Sequence, residues 1–192
     1  MTTVVESPLI PARSAELWPV SVEAYRLLGE AGLIPKNTEL LYGFVYKKMS
    51  KSPLHSTLVR RMVYLLNRLA APGFFVDSEQ PLRCGDSEPE PDVAVIRGSR
   101  NDFEKEHPQT AELIVEICVS SHEYDLTKLR AYSSAGVKEC WFVLGAEKRV
   151  EVYREPDGEG YRQRSLFGPD GAIQSSVFQN RAILLEEVFI AS

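Results

Sequence analysis

The chain has 192 residues, 44% hydrophobic and 26% charged, with a formal net charge of −5. That fits one soluble domain with a sizeable core and argues against a generic nucleic-acid coat, which would be basic. No apolar run approaches the ~20 residues of a membrane helix, and the N-terminus lacks the basic-then-apolar pattern of a signal peptide.

Three cysteines, Cys84, Cys118 and Cys140, cannot all pair within the chain. Two sit in apolar runs and behave there as small hydrophobes, so a reducing, cytoplasmic setting is expected. No clustered Cys/His spacing suggests a zinc site.

Residues 1–17 read as an irregular segment and residues 18–192 as one domain. Ser21 predicts an N-cap, and VEAYRLLGEA after it has helical spacing that Gly32 and Pro35 close. ELLYGFVYKKM, residues 39–49, reads as a hairpin turning at Tyr42-Gly43. A strong amphipathic helix follows from about Leu54 to Ala70. FFVDSEQPLR predicts a strand over 74–83 that contains Glu79, with Pro81 marking an edge or a bulge.

Pro91-Asp92 opens the short strand VAVI. LIVEICV, residues 113–119, is almost continuously apolar, as a strand buried on both faces would be. Asp125 predicts the N-cap of a helix over 126–135, with Gly136 ending it. Residues 138–167 alternate strands with turns at Gly145 and Asp157-Gly158, and short elements finish the chain. The strand–helix–strand unit over 112–144 implies two parallel strands, with hairpins on either side. The expected fold is α/β: a mixed central β-sheet flanked by helices, with additional antiparallel hairpins.

Charge is unevenly placed. From Phe44 to Arg68 there are six bases and no acid; from Asp77 to Asp125 there are thirteen acids against four bases. A basic segment beside an acidic one suits a metal-dependent nuclease, with bases for phosphates and acids for a cation. Two solvated faces of opposite bias would give the same counts. Lys47, Lys48 and Arg60 are the candidate substrate contacts in that basic stretch, with His55 beside them.

An acid inside an apolar strand is costly unless it is paired or holds a metal. Asp92 and Glu116 are two such acids, on strands expected to be neighbours. Strands lie ~4.8 Å apart, so the two carboxylates can share one cation, and hard oxygen ligands favour Mg²⁺ or Mn²⁺. Lys128, on the next helix, would reach the same place as a point charge, and Glu79 would add an oxygen ligand from a third strand. For Glu116 the alternative is a salt bridge to a core base. Taken singly, Lys128 and Glu79 read as solvated residues and Tyr132 as core.

These residues carry a family resemblance. ELLYG (39–43), His55, SEQPLR (78–83), PDVAVI (91–96), LIVEICVSS (113–121), YDLTKLRAYSSAGVKECWFV (124–143) and RVEVYR (149–154) stand in an order that resembles the Uma2 family of endonucleases. The resemblance implies the PD-(D/E)xK fold with its restriction-endonuclease-like core. It implies that Asp92 is the Asp of the PD motif and Glu116 the second acid. It places Cys118 where the motif commonly has lysine, so the amine has moved to Lys128, and it sets Glu79 and His55 along the site. Tyr42-Gly43 stands where the family usually has Asp-Gly, and Ser120-Ser121 where it usually has Ser-Pro.

The expected protein is a Mg²⁺- or Mn²⁺-dependent endonuclease acting on nucleic acid, chiefly DNA. Catalysis falls to Asp92, Glu116 and Lys128, and metal binding to Asp92, Glu116 and Glu79. The alternatives are a non-catalytic nucleic-acid-binding or regulatory protein on the same fold, and a hydrolase of small phosphate esters. A homodimer is expected through the 39–49 hairpin and the apolar residues of 137–153.

Overall fold

The computed structural model describes residues 17–179 and 181–190. The irregular segment expected over 1–17 lies, apart from Leu17, outside the described residues. Helix α1 (Val22–Glu30) begins where Ser21 Oγ accepts from Ala24 N. Strands β1 (Thr38–Leu41) and β2 (Phe44–Lys47) form the expected hairpin. Its turn puts Tyr42 and Gly43 at φ 54° and 79°, the left-handed pair that a two-residue hairpin requires. Helix α2 (Pro53–Leu69) starts with Ser52 accepting from His55 N and with proline at its first position.

The central sheet has six strands in the order β3 (Phe74–Asp77), β4 (Val93–Arg97), β5 (Leu113–Cys118), β6 (Glu139–Leu144), β7 (Arg149–Pro156) and β8 (Tyr161–Phe167). Only β5 and β6 run parallel, as the helical connection between them demands. The other neighbours in this sheet are antiparallel. Strands β9 (Ala172–Gln174) and β10 (Ala182–Leu184) pair separately, and α5 (Leu185–Val188) follows.

Both sheet faces are covered. Leu58, Met62, Leu65 and Leu66 of α2 pack on Val93, Val95, Val115, Ile117 and Trp141. On the opposite face Ala131, Tyr132 and Val137 meet Ile114, Cys118, Cys140 and Phe142. All six residues of β5 are buried, as its unbroken apolar run requires. The three cysteines are free and buried.

Two expectations are corrected. Strand β3 ends at Asp77, and Glu79 lies beyond it with φ 57°. Its N–H is taken by the carbonyls of Pro91 and Asp92, which turns the chain out of the sheet. The single helix expected over 126–135 is two short helices, α3 (His122–Leu126) and α4 (Leu129–Ser134). Asp125 lies inside α3 rather than capping a helix. Thr127 Oγ1 donates to Tyr124 O at 2.6 Å, a local bond that competes with helix continuation. Lys128 therefore sits at the break, as the residue that precedes α4, and not one turn into a helix.

Candidate active site

The β4–β5 register pairs Val93 with Val115, so Asp92 falls opposite Glu116 on the same sheet face. Asp92 Oδ2 accepts from Ile117 N at 2.7 Å, and its Oδ1 lies 3.1 Å from His55 Nε2. His55 Nδ1 is buried and has no hydrogen-bond partner. Glu116 is buried; Tyr132 Oη donates to its Oε1 at 2.5 Å and Lys128 Nζ lies 3.3 Å from the same oxygen. Among the described residues no donor reaches Glu116 Oε2.

Lys128 is 3% exposed and stands among three carboxylates. Its Nζ lies 3.2 Å from Glu39 Oε1, 3.3 Å from Glu116 Oε1 and 3.4 Å from Asp125 Oδ1. The Tyr124 ring lies beneath it, with its centroid 5.3 Å away. Asp125 also accepts from Ser121 Oγ at 2.5 Å and Cys118 Sγ at 3.3 Å. Glu39 accepts from Tyr124 Oη at 2.9 Å and from Glu90 N at 3.0 Å. The hairpin is bound to this assembly by Tyr42, whose hydroxyl donates to Thr127 O and accepts from Ala131 N, filling the gap between α3 and α4.

Three carboxylates, Glu39, Glu116 and Asp125, thus face one buried ammonium, with Asp92 beside Glu116. Burial, helped by Asp125, Asp92 and Glu39, pushes the Glu116 carboxyl up to about 8, against the pull of Lys128. Asp125 is raised chiefly by burial. Burial opposes the charge on Lys128, but Glu116, Glu39 and Asp125 outweigh it and hold its pKa well above the usual value.

These residues line a cleft of about 80 Å³, with Lys48, Met49, Ser50, Lys51 and Ser52 forming one wall. Asp92, Glu116, Lys128, His55 and Lys48 are brought together there. Glu79 is not among the lining residues: its carboxylate pairs with Lys51 Nζ at 2.5 Å. Glu39, from β1, lines the cleft instead.

The basic stretch is largely committed inside the protein. Lys48 pairs with Glu90, Arg61 donates to the carbonyls of Val188 and Ile190, and Arg68 pairs with Glu187. Arg60 donates to Thr57 Oγ1 on its own helix. Lys47 and Arg60 are exposed and lie outside the cleft lining.

Sequence reasoning missed Glu39, Asp125 and Tyr132 as members of this site. From the sequence alone Asp125 reads as a cap and Tyr132 as packing.

Among the described residues no group of three or more His, Cys, Asp or Glu side chains stands ready as a metal cage. The donor set nevertheless fits a hard divalent cation. Asp92 and Glu116 are adjacent oxygen donors in a cleft with surplus negative charge, and Mg²⁺ commonly takes one or two carboxylates and keeps several waters.

The mixed sheet sets Asp92, just before β4, beside Glu116 within β5, and Lys128 reaches them from the break in the helical connection between β5 and β6. The chain belongs to the Uma2 family, described as "Putative restriction endonuclease", whose model matches residues 32–186. A crystal structure from Anabaena variabilis ATCC 29413, titled as that of "a putative nuclease belonging to DUF820", shares the fold. It has a TM-score of 0.71 at 20% identity and covers 84% of this chain and 96% of that one. No functionally curated protein matches the chain. No helix among the described residues is long and apolar enough to cross a membrane.

Proposed function

We propose that the protein is a Mg²⁺- or Mn²⁺-dependent endonuclease that hydrolyses phosphodiester bonds in nucleic acid, with DNA the first candidate. The observation that carries this reading is the facing pair Asp92 and Glu116 in a cleft whose acids outnumber its one buried ammonium. When bound, the cation would supply Lewis-acid activation of the scissile phosphate and of water. Asp92 and Glu116 would hold it, with Glu39 and Asp125 alongside.

Lys128 offers a donor and a fixed positive charge where negative charge develops on the phosphate oxygens. Tyr132 fixes the rotamer of Glu116, and the Ile117 N–H and His55 fix that of Asp92, so neither carboxylate reorganises during the reaction. Glu79 contributes from outside the cleft by holding Lys51 at its rim. Lys48 lies at the same rim, while Lys47 and Arg60 are the exposed cations of the basic stretch left for a longer substrate.

The small cleft favours a second reading. A space of about 80 Å³ takes a phosphate group more readily than a nucleoside, as a hydrolase of small phosphate esters would need. One assay separates the two. Single-stranded DNA, duplex DNA, RNA and p-nitrophenyl phosphate are offered with Mg²⁺ or Mn²⁺. Cleavage of the polymers, abolished by Asp92→Ala and by Glu116→Ala, supports the endonuclease; turnover of the monoester alone overturns it. If neither substrate is cleaved and Mn²⁺ does not bind, a non-catalytic role on the nuclease fold replaces both.

A homodimer in the cytoplasm completes the proposal. Phe44, Val45 and Tyr46 stand exposed on the β2 edge with Met49 nearby, and an uncovered apolar edge invites a second copy. A monomeric mass in solution at micromolar concentration overturns this part.

A further inference from the structure

A second buried acid lies on the same sheet face as the cleft. Glu116 pairs in register with Phe142, and Phe142 with Glu151, so Asp92, Glu116, Phe142 and Glu151 form one row across β4, β5, β6 and β7. Glu151 is 3% exposed. Three donors reach its carboxylate: Tyr153 Oη at 2.8 Å, His122 Nε2 at 3.2 Å and the Arg164 guanidinium. His122 stands edge-on over Phe142 and directly follows Ser120 and Ser121, which line the cleft.

A buried carboxylate in a sheet row is a costly way to fill space, and an apolar residue of similar size would often be as stable or more so. Glu139 shows what a purely structural solution looks like here. It is enclosed by Trp141 Nε1 at 3.0 Å, by Ser176 N and Oγ, and by Arg154 Nε at 3.5 Å. Glu151 differs because two of its three partners are basic groups that reach solvent. The Arg164 side chain is 58% exposed and that of His122 35%. Arg164 uses Nη2 on Glu151, and among the described residues no acceptor engages its Nε or Nη1. The carboxylate fixes one edge of the guanidinium and leaves the other edge turned outward.

We propose that His122 and Arg164, braced by Glu151, bind a backbone phosphate of the nucleic-acid substrate beside the scissile one held in the cleft. The proposal rests on the endonuclease reading of that cleft. Two strand spacings separate Glu116 from Glu151, about 10 Å, within reach of a phosphate next along the strand from the scissile one. An arginine with free fork donors and an imidazole are suited to phosphate oxygens. The site therefore extends the substrate path along the sheet row, toward β8, and away from the committed bases of α2.

The test compares wild type, Arg164→Gln, Arg164→Lys and the double variant Arg164→Gln/His122→Gln. Cleavage of 12-nucleotide DNA and RNA strands is measured with Mn²⁺ over a range of salt, beside bis(p-nitrophenyl) phosphate, which reaches only the cleft. Mn²⁺ affinity is read by calorimetry and folding by thermal melting. The double variant is expected to raise KM for the favoured 12-mer about tenfold and to lower the salt slope by ~0.7, the value for one single-strand phosphate contact. Its Mn²⁺ affinity and its turnover of the small diester stay at wild-type values. Arg164→Lys keeps most of the slope, and Arg164→Gln, on the exposed edge strand, gives half the loss should the double variant fold poorly. An unchanged KM and slope, with cleavage still dependent on Asp92, overturns the phosphate pair and leaves the endonuclease reading standing. Equal losses in Arg164→Lys and Arg164→Gln also overturn it, since a brace rather than a charge would then be at work. A wild-type protein that cleaves nothing removes the endonuclease reading and this inference with it.

Discussion

Lys128→Met removes one ammonium and leaves most of the aliphatic stem in place. Glu39, Glu116 and Asp125 then lose the cation that stands 3.2–3.4 Å from each of them. Leaving a buried charge without its partner costs about 3–5 kcal/mol. The acids can escape part of that cost by taking up protons, so the loss depends on pH. Glu116 already titrates at about 8 with Lys128 present, against an ordinary 4.5, and removing the cation raises it further. A group whose folded pKa is raised contributes its stability in full below the unfolded value and loses it as pH rises through the folded one. The penalty of Lys128→Met therefore sets in as pH rises through about 8, where wild type begins to ionise Glu116 and the variant does not. Urea unfolding without metal should show about 3–5 kcal/mol lost at pH 8.5 and less than half of that at pH 5.5. Added Mn²⁺ should raise the melting temperature of the variant more than that of wild type, because the ion takes over the work of the missing ammonium. Equal losses at the two pH values, or a variant more stable than wild type at pH 8.5, would refute the account of Lys128 as the cation that holds these acids together.

Other outcomes follow from the same geometry. On the metal-dependent reading the cation needs the Glu116 carboxylate, which burial pushes up to about 8, so Mn²⁺ affinity should rise about tenfold per pH unit from 6 to 8 and then level off; calorimetry checks this, and a flat profile contradicts it. Tyr132→Phe removes the 2.5 Å hydrogen bond to Glu116 and should cost about 1.5–3 kcal/mol in urea unfolding, with little change in the fold seen by circular dichroism. Gly43→Ala forces a side chain to φ 79° and sets its Cβ 2.4 Å from Pro19 Cβ, so it should destabilise by about 2 kcal/mol; a neutral melting temperature would show that the hairpin turn and Pro19 yield. Leu66→Ala, at a fully buried position in the α2 core, should cost about 2–5 kcal/mol and leave Mn²⁺ affinity unchanged.

Some of this site was legible in the chain because its residues violate a local rule. Glu116 interrupts an apolar strand, and Asp92 opens one, so each signals itself within a few neighbours. Glu39 gives no such signal. It follows a threonine in a short strand, and its burial comes from residues far along the chain, where Leu40 bridges to Glu88. Tyr132 reads as core because a phenol at a helical position packs well whether or not its hydroxyl has a partner, and that partner lies on β5. The break before α4 was hidden by Asp125, a sound capping residue whose carboxylate is drawn instead to Cys118, Ser121 and Lys128. The pairing of the basic run was hidden for a similar reason. Its charges are local, but the acids and carbonyls that occupy most of them come from residues 79, 90 and 187–190.

One phenolic oxygen gives Tyr42, at the hairpin turn, a mechanical role. The hairpin contributes Glu39 and the broken helix contributes Lys128, from segments 89 positions apart in sequence. The Tyr42 hydroxyl bolts the turn of one to the gap in the other, and Tyr124 Oη donates to Glu39 beside it, so the acid and the amine are held 3.2 Å apart. A force that peels the β2 edge, such as a partner chain pulling on it, would travel through that bolt to the ammonium. The geometry of the cleft thus depends on the hairpin turn through one phenolic oxygen.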